Sequence, residues 1–476
     1  MVVAQHEESS KIVDNLHPDV WYGARHTQTL MLFVLLTIAY GMRVNLSVGI
    51  VAMTDPTASP SPDIPTYVWE DESVILSSFF WGYVIPQIGA GQLAKYYGPK
   101  WFLVGSMTLG SLFTILIPIM AALGSWAVIL CRIIQGLTQG FICPSCHYLM
   151  SQWVPPRERA RLGTFIYAGG PFGTVVSLTF TGWISETKVG WPYAFYIYGA
   201  AGLLWVLLWI FLGRNSPTDH TTIDPQEKAY IEASLGHTEE KEISPTPWGS
   251  IVRSLPFWAI LLAQCGQNWG FTTLLTNIPT FLKNVLNFDI KSNGLLSAGP
   301  YLLFWILSFV FSTITDYSIT KGILTTGTAR KVANSIGTLV PAASLTILGI
   351  ISDLDYDITD AAIVLLFIAV GVNSCTFCGF NVNHMDISPN HAGTLMGITN
   401  GLSNITSIIA PLIMQYIVTV PSSTIQWSII FYISAIIYVV GNTFFILFGS
   451  GERQVWDNSV EEDEKVTDVK VEDARY

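Results

Sequence analysis

A chain of 476 residues that is 50% hydrophobic and only 12% charged holds about half the charge of an ordinary soluble domain. With 16 Trp and 25 Phe, this balance argues against a soluble enzyme and for a polytopic membrane protein. The net charge of −11 is no sign of an acidic core or of a nucleic-acid partner, because much of it sits in the terminal run EEDEKVTDVKVEDARY.

The chain opens with a polar segment, 1–27, that lacks the apolar core of a signal peptide. A spanning helix needs about 20 mostly apolar residues. Runs at 28–52, 74–94, 101–123, 126–150, 162–184 and 191–212 meet that requirement and predict a six-helix bundle over 28–212. A charged, Pro-punctuated linker, 213–256, follows. Runs at 257–282, 293–314, 332–351, 361–381, 392–418 and 427–448 predict a second bundle over 257–449, and an acidic tail fills 450–476. The expected class is all-α and polytopic, with 12 transmembrane helices in two six-helix halves. Short basic loops stay on the cytoplasmic side. LAKYYGPKW, PPRERARL and ITKGILTTGTARKV follow the second, fourth and eighth runs, whereas DPTASPSPDIPTYVWEDE and SDLDYDITD carry acids on the opposite side. Both termini and the linker are therefore expected in the cytoplasm. The Pro- and Ser-rich loop after the first run is expected to be mobile. The glycosylation matches at Asn45 and Asn404 fall inside apolar runs and not in the loop such a site needs. All six cysteines lie in apolar segments, where reduced, packed thiols are the default.

Only Arg43 and Arg132 fall well inside these runs, and every Asp and Glu lies in a loop, a tail or a helix end. An arginine at the centre of a bilayer costs roughly 2.5–3.5 kcal/mol on insertion scales, so it faces the bundle interior or a wet cavity and needs a partner. With no carboxylate at that depth, a bound anion is the partner the sequence implies. Snorkelling, or bonding to helix carbonyls, is the structural alternative for each arginine.

Spacing extends the site. Gln135 and Gln139 share a helix face with Arg132, and Gly136 and Gly140 thin the same region for close packing. In the seventh run, QCGQNWGFTT places Gln264, Gln267 and Asn268 on one face, suited either to substrate or to interhelical hydrogen bonds. CPSC (Cys143–Cys146) and CTFC (Cys375–Cys378) have zinc-like spacing, but small packing residues explain them better and no metal is expected. His147, His384 and His391 are candidate pH sensors, with backbone bonding the commoner fate of such residues.

Several stretches, taken together, resemble one group closely: RVNLSVGIVAM, SFFWGYVIPQIGAG, RIIQGLTQG followed by CPSCHYLMSQWVPPRERARL, and GFNVNHMDISPNHAGTLMGITNG. The chain is similar, from about Arg25 to Trp456, to the anion:cation symporters of the major facilitator superfamily, which include sialin, vesicular glutamate transporters and type I phosphate cotransporters. It looks most like the insect inorganic phosphate cotransporters. The resemblance implies the major facilitator fold, a midplane substrate site between two halves and rocking-type alternating access. It implies that Arg43 and Arg132 bind the anion, and that Asn381, Asn383, His384 and Asp386 belong to the inner gate.

Three departures stand out. Gln139 replaces a glutamate often found in the family, and a glutamine cannot carry a proton. Gln267 aligns with an arginine of vesicular glutamate transporters. Lys95 stands where the superfamily's loop motif has an aspartate, so the gating ion pair there must be absent or rebuilt, while the echo STITDYSITKG keeps Asp316. The expected function is secondary active transport of a small anion, inorganic phosphate or organic, with Arg43, Arg132, Gln135, Gln139, Gln267 and Asn268 at the substrate. Lys95, Asp316, Asn383, His384 and Asp386 are expected at the gate. The coupling ion is Na⁺ or H⁺, and no other cofactor is expected. The protein is expected to work as a monomer in a plasma, endolysosomal or vesicle membrane. An uncoupled anion facilitator with the same fold is the alternative.

Overall fold

A computed structural model describes residues 22–54, 61, 63–69, 72–185, 187–235, 245–286, 290–352, 359–420 and 422–457. The expected mobile loop falls partly, and the acidic tail from 458 wholly, outside the described residues. Each apolar run forms a helical pass. The first six are α1 (Ala24–Thr54), α2 (Glu72–Val84) with α3 (Gln87–Tyr97), α4 (Pro99–Ala121), α5 (Ser125–Gln139) with α6 (Ile142–Trp153), α7 (Arg159–Ser185) and α8 (Pro192–Leu212). Two short helices, α9 (Pro225–Leu235) and α10 (Trp248–Arg253), lie in the linker. The second six are α11 (Leu255–Asn284), α12 (Ile290–Thr320), α13 (Thr326–Ser352), α14 (Thr359–Asn373) with α15 (Phe380–Ile387), α16 (Ala392–Ile417) and α17 (Thr424–Phe448). Among the described residues, eight passes are long and apolar enough to cross a membrane, or nine with the bent α2–α3 pair. The protein is a multi-pass membrane protein.

Three passes break part-way for reasons visible in the sequence. Pro86 cannot donate the helical hydrogen bond, and α2 and α3 meet there at 43°. Gly140 and Phe141 separate α5 from α6, and a 3-10 turn, Ser374–Phe377, with Cys378 and Gly379 separates α14 from α15. The Cys143–Cys146 pair thus follows the break in the fourth pass, and the Cys375–Cys378 pair lies within the break in the tenth.

Each set of six has its own apolar core. Leu35, Met107, Trp153, Ile166, Trp205 and Trp209 anchor the first, and Phe281, Phe304, Leu345, Leu366, Trp427 and Phe431 the second. The end carrying the start of α1, the linker and the end of α17 is termed the linker end, and the opposite one the far end. Between the sets, α7 packs on α12 through Phe172–Trp305 stacking at 5.3 Å, and α3 and α6 pack on α16. Among the described residues, the hydrogen bonds joining the sets lie from mid-bundle to the linker end, as with Gln92 donating to Thr394 at 3.1 Å.

The linker is more than a tether. Glu227 of α9 accepts from the backbone N–H groups of Ala24 and Arg25, at 2.7 and 3.1 Å, and so caps α1. Its carboxylate also pairs with buried Arg25, which reaches Glu158 at 3.1 Å. Removing one partner of a buried pair costs about 3–5 kcal/mol. Glu227→Ala is therefore expected to lower the thermal unfolding midpoint of the detergent-purified protein by several degrees. Breaking the half-buried Lys228–Glu232 pair at the surface by Lys228→Ala should change it far less, a surface pair being worth at most about 1 kcal/mol.

Candidate functional site

The site begins where α2 crosses α5. A Cβ on Gly136 would sit 2.0 Å from the Phe79 carbonyl oxygen, and one on Gly82 2.0 Å from that of Ile133. Only glycine permits this approach, and the spacing rule that marked Gly136 for close packing holds. The crossing brings the Phe79 ring beneath Arg132, one turn before Gly136, with the guanidinium carbon 5.0 Å from the ring centre.

Arg132 is 3% exposed. It donates to Gln135 Oε1 at 3.2 Å and to the Arg43 carbonyl at 3.0 Å, and its Nε–H has no partner. Gln135 is held in turn, donating to Thr114 Oγ1 at 2.8 Å, so it fixes the tilt of the guanidinium. Gln139 is buried on the same face with its Nε2 unpartnered. The guanidinium of Arg43 stands among four rings, with centroids at 4.6 Å (Phe80), 4.9 Å (Phe79), 5.1 Å (Tyr83) and 5.5 Å (Tyr40). Such faces attract a cation by about 0.5–2 kcal/mol each without neutralising it. Among the described residues, neither arginine has a carboxylate at ion-pair distance.

The seventh pass contributes otherwise. Gln267 and Asn373 of α14 form a reciprocal amide pair, and Asn373 also donates to the Gly337 carbonyl at 2.8 Å. Asn268 donates to Ser403 Oγ of α16 at 2.8 Å. Of the two roles open to these side chains, the structure shows the interhelical one, and no described contact joins either to the arginines. Asn400, unremarked in the sequence, makes the connection instead. It accepts from Gln264 at 3.3 Å and donates to the Tyr83 hydroxyl at 3.1 Å, and the Tyr83 ring lies on Arg43.

All five residues expected at the gate lie at the linker end. Asp386 accepts from Arg159 of α7 at 3.0 Å and from Arg330 of α13 at 2.8 Å, joining the two sets. Asn383 donates toward Asp386 at 3.4 Å and to the Ser450 carbonyl at 2.9 Å. Asp316, at the end of α12, accepts from the backbone N–H of Ala160 (3.1 Å) and of Arg161 at the start of α7, where the helix dipole favours an anion. Lys95 meets His391 Nδ1 at 2.9 Å, so the missing aspartate is replaced by a different bridge. His147 and His384 both face the Asn381 carbonyl, at 3.0 and 3.1 Å, the backbone-bonded fate. One expectation is corrected: Arg159 and Arg330, read from sequence as loop charges, are 3% and 1% exposed on helices. Periodicity could not show this, because the acid that holds both lies 227 and 56 residues away.

A model of the Major Facilitator Superfamily matches residues 32–411. The chain belongs to this superfamily. Within it, the relatives are those of the anion:cation symporter group. The chain is 40% identical over 485 residues to a Drosophila melanogaster protein described as "Putative inorganic phosphate cotransporter", covering 95% of this chain and 90% of the relative. It is 37% identical to human sialin, covering 91% and 90%, and 35% identical to human vesicular glutamate transporter 2, covering 90% and 74%. A proton:xylose symporter superposes with a TM-score of 0.69 at 15% identity over 94% of this chain and all of that one. A fucose:proton symporter in an outward conformation gives 0.59 at 13% identity over 86% and 98%. These two show the fold. As a member of the superfamily the chain is a transporter and not an enzyme.

Asp386 is the keystone of the linker end of this transporter. Asp386→Asn takes the ion-pair partner from two buried guanidinium groups, a loss of about 3–5 kcal/mol. A clear fall in thermal midpoint is expected, partly recovered in Asp386→Glu. An unchanged midpoint in Asp386→Asn would show the triad to be dispensable.

Proposed function

We propose that the protein is a secondary active transporter of a small anion, coupled to Na⁺ or H⁺ and working by alternating access. One observation carries the reading: two guanidinium groups, one of them buried with an unpartnered N–H, lie against the same Phe79 ring with no carboxylate at ion-pair distance from either among the described residues. A unit charge about 4 Å away at the effective dielectric of such sites is worth about 4 kcal/mol, so an anion between Arg43 and Arg132 relieves both. Gln135 holds Arg132 in line, and the ring cluster under Arg43 limits its rotamers. Both keep the site preorganised for its guest.

The names of the relatives support an anion, inorganic phosphate or an organic carboxylate. Glutamate is the less favoured, because Gln267 is neutral and committed to Asn373. Gln139 cannot carry a proton, which favours Na⁺ as the coupling ion. Basic loops at the linker end support a cytoplasmic side for that end and for both termini. The described arrangement, latched there, is then outward-facing. The anion enters from the far side, the two halves rock about it, and release follows breakage of the Asp386, Asp316 and Lys95 contacts. A monomer suffices for this cycle, in the plasma membrane or an endolysosomal or vesicle membrane.

Uptake into proteoliposomes tests the reading with phosphate, urate, sialic acid, glutamate and aspartate, under separately imposed Na⁺, pH and voltage gradients. Losing a charged hydrogen-bond partner costs about 1.5–3 kcal/mol. Arg132→Gln is thus expected to cut kcat/KM by about 10- to 100-fold, and Arg132→Lys by less. Unchanged uptake in Arg132→Gln would remove the electrostatic basis of the proposal. The same arginines without a neighbouring acid also suit an uncoupled facilitator, and flux that equilibrates but never accumulates the anion under any gradient assigns that function instead.

A further inference from the structure

We propose that Asn400 is the positioning residue that ties the arginine site to the closure of the linker end: its amide holds the second pass against the eleventh, and release of Tyr83 and Gln87 from that amide frees the end to open. Asn400 lies on α16 and is 8% exposed. A side-chain amide offers two N–H donors and two acceptor positions, and here side chains take all four. Nδ2 donates to the Tyr83 hydroxyl at 3.1 Å and to Gln87 Oε1 at 3.2 Å, both in the first set of helices. Oδ1 accepts from Gln264 at 3.3 Å and from Asn404 at 3.2 Å, both in the second. The donor side of one amide thus faces one half of the protein and the acceptor side the other.

Both first-set partners lie where the second pass breaks. Tyr83 is on α2 and Gln87 opens α3, on either side of Pro86. Gln87 is wholly buried and its Nε2 has no partner, so among the described residues Asn400 is what its amide bonds to. Around these bonds the backbones touch. A Cβ on Gly397, three residues before Asn400, would sit 2.3 Å from the Gln87 carbonyl oxygen, and one on Gly401 3.2 Å from Gln87 Cβ. A hydrogen bond is lost beyond about 3.5 Å, so α3 cannot part from α16 with the two donor bonds of Asn400 in place.

Tyr83 carries the link to charge. Its ring centre lies 5.1 Å from the Arg43 guanidinium carbon, and its hydroxyl also meets Cys143 Sγ at 3.5 Å. With the site empty, attraction between cation and ring steadies the hydroxyl at Asn400. An anion on Arg43 competes with the ring for the guanidinium, because charge-assisted bonds are about twice as strong as neutral ones. Occupancy then loosens Tyr83, and its bond to Asn400 with it. The inference rests on the transport reading in taking the guest to be an anion and the opening to be a step of the cycle; the distances that test it are read without substrate.

Nitroxides at Tyr97→Cys and Ile323→Cys, exposed positions at the linker end of the two sets, report the separation by electron spin distance measurement on the full chain in lipid nanodiscs. Tyr83→Phe keeps the ring and removes only the hydroxyl. At the usual worth of a neutral hydrogen bond it raises the open-to-closed ratio about threefold, and Asn400→Leu raises it about tenfold. Gly397→Ala forces the same helices apart and is expected to raise it as well, whereas Gly105→Ala, with nothing within 4 Å of the added methyl, is not. Arg43→Gln removes the charge over the ring. Its effect is expected to overlap with that of Asn400→Leu, so that the double variant exceeds the larger single effect by less than about twofold. An unchanged ratio in Tyr83→Phe and Asn400→Leu overturns the proposal even if their thermal midpoints fall, since a contact that only stabilises the fold leaves the ratio alone. Fully multiplicative effects of Arg43→Gln and Asn400→Leu overturn it too, because they separate the amide from the arginine site. Tyr83→Phe decides the matter if Asn400→Leu folds poorly. The expected shifts in a protein that takes up no anion under any gradient would count against the transport reading alone.

Discussion

Positive charge that cannot be given up, buried within the helix bundle, is the constraint around which this transporter is arranged. A guanidinium in hydrocarbon must be shielded, bonded or paired, and the structure uses all three solutions in different places. At mid-bundle, Arg43 is shielded by aromatic faces and Arg132 is bonded to a carbonyl and an amide. At the linker end, Arg25, Arg159 and Arg330 are paired with carboxylates. Pairing satisfies charge without a guest and so suits contacts that hold helices together while an end is closed. Shielding and bonding leave the charge available, which suits a place where a negative guest must come and go.

The two solutions depend on one another. The close crossing of α2 and α5 at Gly82 and Gly136 sets the ring of Phe79 under Arg132 and beside Arg43. The next turns of the same helices lead to the breaks, and beyond them α3 and α6 carry the surfaces that close on α16. Tyr83 links the regions, with its ring on Arg43 and its hydroxyl held by Asn400 of the second set. A change in the charge around Arg43 is therefore felt by a side chain that bridges the two halves.

Much of the fold was legible because hydrocarbon imposes a length and a composition on each pass, and the twelve apolar runs could be read directly. The breaks were harder. Pro86 and Gly140 are visible as residues, but one helix that bends and one that continues share the same hydropathy. Arg43 and Arg132 stood out because nothing else at that depth is charged. The ring cluster under Arg43 did not, since aromatic residues are common in every membrane helix and only packing selects four of them. The role of Gln267 was ambiguous because an amide bonds equally well to a substrate or to Asn373. Arg159 and Arg330 were misplaced because sequence reads a charge near a helix end as solvated, and their partner Asp386 lies far along the chain.

The adjacency of two of the breaks has a mechanical meaning. A Cβ on Gly140 would lie 2.5 Å from Pro86 Cγ and 2.7 Å from the Tyr83 oxygen, so the discontinuities of the second and fourth passes sit against each other at the same depth. Side by side they interrupt the second and fourth passes at one level, with α3 and α6 beyond it toward the linker end. The crossing that cradles the arginines lies on the other side of that level, so the cradle is built on unbroken helix.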